Sequence, residues 1–337
     1  MNNMIDTINK FFDELKNNNI DEINIIVHSV PDPDAVGSAL GFGLIAKFFD
    51  IDSKIYYDGE ISHPQNKTIV NILNIAMTKT NSEVEGVNVC VDCTPLNSCA
   101  KDALLVIDHH KSTYKAKYLI NKPSYGACST IVWELIKKLD IKDFSENIEV
   151  YTALLLGIRT DTNDLISENM SKNDFIAYQE LLELADKEAL QKVMNYPFPR
   201  YIYDKRLSLH KEGNYTENNG MFIGGIGFIS ASQKDVIAIL AEEYARMESI
   251  NTAVIFAIID KKTLEISIRS SNISLDVNQM CKDLFGEYGG GTSYKGGAKI
   301  PLLFYTDIDE KNADSFWKTT CTHMFKKVLK ESWIAKE

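Results

Sequence analysis

Apolar and polar positions divide the chain into two stretches of different rhythm. From residue 1 to about 190, short continuous apolar runs alternate with segments of helical period. "INIIVHS" precedes a helix starting near Ser38, "DSKIYYD" precedes a helical "QNKTIVNILNIA", and "VNVCVDC" and "ALLVIDHH" are two further strand-like runs. "YGACSTIVWELIKKL" and "IEVYTALLLGIRTD" then read as helices. Continuous apolar strands alternating with helices predict an α/β fold with a mostly parallel sheet covered by helices on both faces.

The pattern breaks in "NYPFPRYIYDKRLSLHKEGNYTENNG", which has two prolines and no clear period and reads as a connector. Beyond it come the strand runs "MFIGGIGFIS", "NTAVIFAIID" and "TLEISIRSS", a helical "SQKDVIAILAEEYARM", the segment "LDVNQMCKDLFGEYGGG", a glycine-rich turn and a final strand "KIPLLFYTDI". The expected organisation is a first domain over 1–190, a linker over 191–219 and a smaller α/β domain over 220–337, with a cleft between the domains. No internal repeat or low-complexity tract interrupts it.

Composition narrows the class. At 337 residues the chain is long enough for two cores, and 45% apolar with 25% charged residues is the balance of a soluble globular protein. The opening "MNNMIDTINKFFDELKNNN" lacks the apolar block of a signal peptide, and no stretch is apolar enough to span a bilayer. The six cysteines lie in apolar runs without a disulfide-type spacing, which predicts a reducing cytoplasm. A net charge of −11 argues against coating long duplex nucleic acid, which needs a field of Lys and Arg.

Ligands on open parallel sheets gather at the carboxyl ends of the strands. His28, Asp32 and Asp34 follow the first run, Asp92 ends "VNVCVD", and Asp108, His109 and His110 end "ALLVIDHH". Asp161 stands where "LLLGIRTD" gives way to polar residues. Taken singly, Asp32 and Asp34 are turn and cap residues, and the histidines are ordinary packed or solvated side chains. Their recurrence at the end of one apolar run after another points instead to one site. Carboxylates with a minority of imidazoles suit manganese or magnesium, and the set is large enough to hold two ions. Cys90 and Cys93 in "CVDC" read as small buried hydrophobes, and "GGIG" over 224–227 as sheet geometry.

"HSVPDPDAVGS", "VCVDC", "LVIDHH" and "GIRTDT" resemble, in order and spacing, the four motifs of the DHH phosphoesterase family. "ISIRSS" and "YGGGTSYKGGA" resemble the DHH-associated domain of its nanoRNase-like (oligoribonuclease) branch, so the resemblance covers most of the chain. The resemblance implies two Mn2+ ions, with Mg2+ or Co2+ as substitutes. It implies that His28 and Asp32 bind one ion, that Asp34, His109 and Asp161 bind the other, and that Asp92 bridges them. Asp92, His110 and Asp108 would be the catalytic group, with His110 facing the phosphate and Asp108 orienting the histidines. Arg269, Ser270, Gly289, Gly290, Gly291, Thr292 and Lys295 would bind substrate, the arginine as a phosphate clamp and the glycines as backbone donors.

The implied activity is hydrolysis of short RNA or DNA oligonucleotides, linear dinucleotides or pAp, without a membrane partner, by a protein that pairs as a homodimer. Thr292 stands where that branch carries a histidine, which leaves the substrate less determined than the metal centre. A cyclic-di-AMP phosphodiesterase is the nearest alternative, an inorganic pyrophosphatase is a weaker one, and a nucleotide-binding sensor without turnover is the alternative from another class.

Overall fold

A computed structural model describes residues 3–61, 63–141, 147–303 and 310–330. The chain divides into two compact units, Met1–Pro197 and Phe198–Glu337. Among the described residues, no helix is long and apolar enough to cross a membrane.

The first unit runs α1 (Asn3–Asn17), β1 (Glu22–Ile26), α2 (Pro33–Phe48), β2 (Asp52–Tyr57), α3 (Pro64–Ile72), β3 (Met77–Lys79), β4 (Asn88–Val91), β5 (Leu105–Asp108), β6 (Tyr118–Asn121), α4 (Cys128–Lys138), α5 (Ile148–Asp161), α6 (Lys172–Leu184) and α7 (Lys187–Met194). All five strand pairings are parallel, in the order β3-β2-β1-β4-β5-β6. Every residue of β4 and β5 is buried, as their unbroken apolar runs require. The edge strands β3 and β6 are short and half-exposed, with at most three successive apolar residues, so the hydrophobic pattern does not reveal them.

The chain leaves β1 for one side of the sheet and β4 for the other. The crevice between their carboxyl ends is therefore a topological switch point, the usual ligand site of such sheets. Helix α2 begins at Pro33, five residues before the expected start near Ser38. Asp32 caps it by accepting from the N–H groups of Asp34 and Ala35, and proline suits the first helical position. Helices α2 and α5 meet backbone to backbone: a Cβ on Gly37 would come within 2.5 Å of the Ala153 carbonyl oxygen. At the other end of the crossing, a Cβ on Gly157 would lie 2.9 Å from the Asp34 Cα.

The second unit runs α8 (Arg200–Leu209), β7 (Tyr215–Asn218), β8 (Met221–Ile229), α9 (Val236–Tyr244), β9 (Thr252–Ile259), β10 (Thr263–Ser270), α10 (Val277–Phe285), β11 (Gly289–Gly291), β12 (Lys295–Pro301) and α11 (Glu310–Lys330). Its sheet, in the order β11-β12-β10-β9-β8-β7, is antiparallel except for the parallel pair β8–β9. Strand β9 is buried throughout. Ala253, Ile255 and Ala257 join the core under α8 and α9, and Val254, Phe256 and Ile258 join the core under α10 and α11.

Three expectations change here. The stretch 191–219 is not a bare connector: it holds the end of α7, all of α8 and β7. Ile202 and Leu209 of α8 are fully buried in the second unit's core, and the prolines that obscured the helical period precede α8 rather than interrupt it. The glycine-rich "turn" is a short edge strand, β11. The final strand starts at Lys295, and Gly297 allows β12 to lie close against β10: a Cβ there would reach within 2.3 Å of the Ile266 carbonyl oxygen. The end of "KIPLLFYTDI", from residue 304, lies outside the described residues.

Candidate functional site

The first unit brings His28, Asp32, Asp34, Asp92, His109, His110 and Asp161 together. Among the described residues, three sets place their ligand atoms within 4.8 Å of one another: His28, Asp32 and Asp92; Asp34, His109 and Asp161; and Asp92, His109 and His110. His28 follows β1 and Asp92 follows β4, on the two sides of the switch point. Asp92 takes a left-handed φ of 56°, which turns its side chain out of the strand, while its N–H still donates to the Ile107 carbonyl.

The two oxygens of Asp92 face different imidazoles. Oδ1 lies 3.4 Å from His109 Nε2, and Oδ2 lies 3.8 Å from His28 Nε2. His28 Nε2 is also 3.7 Å from Asp32 Oδ1, and His109 Nε2 is 3.3 Å from Asp161 Oδ2 and 3.8 Å from Asp34 Oδ2. Asp92 Oδ1 and His109 Nε2 are buried and make no hydrogen bond. A pair of buried polar atoms left unsatisfied is costly unless a cation stands between them.

The ring of His109 is oriented from behind. Its Nδ1 lies 3.1 Å from the Tyr125 carbonyl oxygen, which places a proton on Nδ1 and turns Nε2 towards the carboxylates. His110 is held differently: Asp108 Oδ1 accepts from its backbone N–H at 3.0 Å and contacts its Nδ1 at 2.9 Å. Asp108 therefore orients His110 alone, which corrects the expectation that it orients both histidines. Asn121 on β6 donates to the His110 carbonyl at 3.0 Å.

Asp34 is fully buried at the amino end of α4. Its carboxylate accepts from the N–H groups of Cys128, at 2.6 Å, and Ser129, at 2.8 Å, and so caps a helix whose own N-cap, Ala127, has no side-chain acceptor. Hydrogen bonds to a charged group contribute about 1.5–3 kcal/mol each. Burying a carboxylate costs several kcal/mol, which these bonds only partly offset. Burial first, and the Asp161 carboxylate second, push Asp34 up to about 7. Burial and then Asp34 raise Asp92 well above the usual carboxylate range. Burial works against a charged His109, yet Asp161 and Asp92 outweigh it and push the imidazole up to about 12. The pocket concentrates more negative charge than its buried volume tolerates without cations, and its oxygen and imidazole donors fit hard or borderline divalent ions.

Sequence reasoning missed Asp174. Its carboxylate accepts from Gly126 N–H, Ser171 N–H and O–H, and the Thr130 hydroxyl, and it is fully buried. The pattern Ser-x-x-Asp over 171–174 signals the local cap of α6, but not the contacts to Gly126 and Thr130. Cys90 and Cys93 are buried among apolar neighbours as small core side chains.

The second unit places the other expected residues as follows. Arg269 and Lys295 stand directly opposite each other in the β10–β12 register. Arg269 Nη1 donates to Ser267 Oγ and to the Ile268 carbonyl, both at 3.0 Å, and burial draws its guanidinium below the usual range. Ser270 Oγ pairs with Thr252 Oγ1 at 2.8 Å. Gly289 and Gly290 pair with Ala298 and Gly297. The Gly291 N–H donates to Asn278 Oδ1 at 3.1 Å, so this glycine is not an open backbone donor as expected. Thr292 is folded into the turn, its N–H donating to the Lys295 carbonyl at 2.7 Å.

Residues 22–158 match the DHH family, N-terminal domain. The uncharacterised protein MJ1633 of Methanocaldococcus jannaschii is 30% identical over 297 residues, which is 86% of this chain and 60% of that protein. A second uncharacterised protein of the same organism, MJ0988, is 30% identical over 191 residues, 50% of this chain and 56% of that protein. The matches thus span less than two thirds of the length of either curated relative. Among solved structures, an exopolyphosphatase-related protein from Bacteroides fragilis has the same fold, with a TM-score of 0.63 at 18% identity over 97% of this chain and 98% of that one. Residues 22–158 of this chain thus form a domain of the DHH family, and they carry the histidine and aspartate cluster at the switch point apart from Asp161.

Proposed function

We propose that this protein is a Mn2+-dependent phosphoesterase that hydrolyses phosphodiester or phosphomonoester bonds in short oligonucleotides, linear dinucleotides foremost. The observation that carries the reading is Asp92, whose two oxygens face His109 and His28 separately, as a carboxylate shared between two ions would. In this reading His28 and Asp32 hold one ion, Asp34, His109 and Asp161 hold the other, and Asp92 serves both. Two bound divalent ions would polarise the phosphoryl oxygens and lower the pKa of the attacking water.

The chain's own side chains supply orientation and a proton. His110 is the exposed histidine of the group, with 60% of its side chain accessible, and Asp108 occupies its Nδ1. Its Nε2 is then the nitrogen available to the phosphate. Water oxygen bonds to phosphorus, the ester P–O bond breaks, His110 gives the leaving oxygen a proton, and the proton released from the attacking water restores His110. Arg269 and Lys295, opposite each other on β10 and β12, supply cations for a terminal phosphate. A net charge of −11 favours short substrates over long polymers, which need a continuous basic track.

The test is product analysis with Mn2+ on pApA, pGpG, pAp, cyclic-di-AMP and pyrophosphate, with Asp92→Ala beside the wild type. Mononucleotides released from the linear dinucleotides and lost in the variant are expected. Turnover of cyclic-di-AMP or pyrophosphate alone would overturn the substrate class, and bound Mn2+ without any product would overturn the hydrolase reading.

A further inference from the structure

We propose that Asp174 strengthens His109 as a metal ligand by polarising the single peptide group that lies between them. The inference rests on the metal-binding role proposed for His109. The carbonyl oxygen of Tyr125 and the N–H of Gly126 belong to one peptide unit. That carbonyl lies 3.1 Å from His109 Nδ1, and that N–H donates to Asp174 Oδ2 at 2.8 Å. Carboxylate, peptide and imidazole form one hydrogen-bonded chain, directed at the lone pair of Nε2.

A carboxylate at the N–H end of a peptide drives electron density towards its carbonyl oxygen, and hydrogen bonds in series strengthen one another in a buried setting. The carbonyl becomes a stronger acceptor for the Nδ1 proton, and the Nε2 lone pair becomes more basic. Histidine ligands commonly receive this support from a carboxylate in direct contact. Here the carboxylate acts one peptide further back.

A purely local role explains only part of the geometry. Capping α6 accounts for the bonds from Ser171, and a capping aspartate needs no deep burial: Asp276 caps α10 from an exposed position. Asp174 is fully buried and also reaches Gly126 and Thr130, 48 and 44 residues away in sequence. The approach depends on glycine, because a Cβ on Gly126 would come within 2.7 Å of Thr162 Cγ2 and 3.0 Å of Asp174 Oδ2.

The test is Asp174→Asn in the full chain. Asparagine has the same shape and keeps an oxygen towards Gly126 and Ser171, with its amide nitrogen turned to the Thr130 hydroxyl, so the contacts persist and the charge is lost. Two readouts are used: a Mn2+ titration resolved into two binding constants, and 15N spectra of histidine-labelled, metal-free protein, with His109 assigned by His109→Gln. The expected result is a weakening of one constant by about 10-fold, the other unchanged, and a shift of the His109 nitrogen signals without metal. Ser171→Ala removes one hydrogen bond from the same carboxylate but keeps its charge, and should lower thermal stability without weakening either constant.

Unchanged constants and unchanged nitrogen signals in Asp174→Asn would overturn the proposal, as would equal weakening in Ser171→Ala. Absence of Mn2+ uptake by the wild type would instead defeat the metal reading, and the nitrogen spectra would still decide whether the chain of hydrogen bonds operates. If the asparagine variant does not fold, Thr130→Val strips a donor from the far oxygen and leaves more charge on the Gly126 side. It should then shift the His109 nitrogen signals in the sense of a stronger bond from Nδ1–H to the Tyr125 carbonyl and tighten one constant; no shift would overturn the proposal.

Discussion

His109 Nε2 and Asp92 Oδ1 lie 3.4 Å apart, both buried and both without a hydrogen bond. Two buried polar atoms that face each other without bonding mark the place where a cation relieves the site. Ligand binding to the folded state alone stabilises it by mass action. Mn2+ at about 100 times its dissociation constant should therefore raise the melting temperature of the first unit by about 5–10 °C. Differential scanning calorimetry with and without chelator checks this, and Asp92→Ala should abolish the rise.

His110 and His109 are neighbours in sequence with opposite environments, 60% and 6% of their side chains being exposed. His110→Ala should lower turnover by about 100-fold or more, as expected for loss of a proton donor, while the protein still binds two Mn2+ ions. Loss of an ion in this variant would make His110 a ligand instead. Steady-state kinetics paired with metal stoichiometry separates the two outcomes.

The α2–α5 crossing sets the distance between Asp34 and Asp161. A Cβ on Gly157 would meet Ser129 Oγ at 2.3 Å and the Asp34 Cα at 2.9 Å, so Gly157→Ala should cost about 1–3 kcal/mol through overpacking and weaken metal binding as Asp34 moves. Gly43 on α2 has its nearest neighbour, Ser53 Oγ, at 3.3 Å. Gly43→Ala should be neutral or stabilising by up to about 1 kcal/mol, because alanine is the better helix former. Chemical denaturation of both variants gives the comparison.

Glu14 ties α1 to the edge strand β6. Its Oε2 accepts from Lys117 Nζ at 2.6 Å and from the Tyr118 hydroxyl at 2.5 Å, and these bonds, Lys117 first, hold the carboxyl below its ordinary value of 4.5. A carboxyl depressed in the folded state contributes stability above its unfolded value and loses it as pH falls through the folded one. The wild type should melt above Glu14→Gln at pH 7, and the gap should close as the pH falls below 4.5. A gap that persists in acid would assign the effect to neutral hydrogen bonding.

Much of the site is legible in the chain because its residue types recur at the ends of apolar runs. The runs ending at Ile26, Val91 and Asp108 are buried strands, and each is followed or closed by histidine or aspartate. Buried strands must be continuous in apolar residues, so hydrophobic pattern alone locates them and the chemistry that follows them. Short, half-exposed edge strands such as β3 carry no such pattern, and the prolines before α8 disguise a helix as a connector.

Strand order lies beyond the linear pattern, because any order of these parallel strands would bury the same residues. Only the fold puts β1 beside β4, so that His28 and Asp92 meet at a switch point. Only the fold brings Asp34 to the amino end of α4, 94 residues further on, and Asp174 behind the peptide that holds His109. These are long-range hydrogen bonds of single polar residues, which leave no periodicity in the chain. The sequence by itself determined which residues could ligate; tertiary packing decided which atoms face one another, because distances between remote elements depend on how their backbones cross.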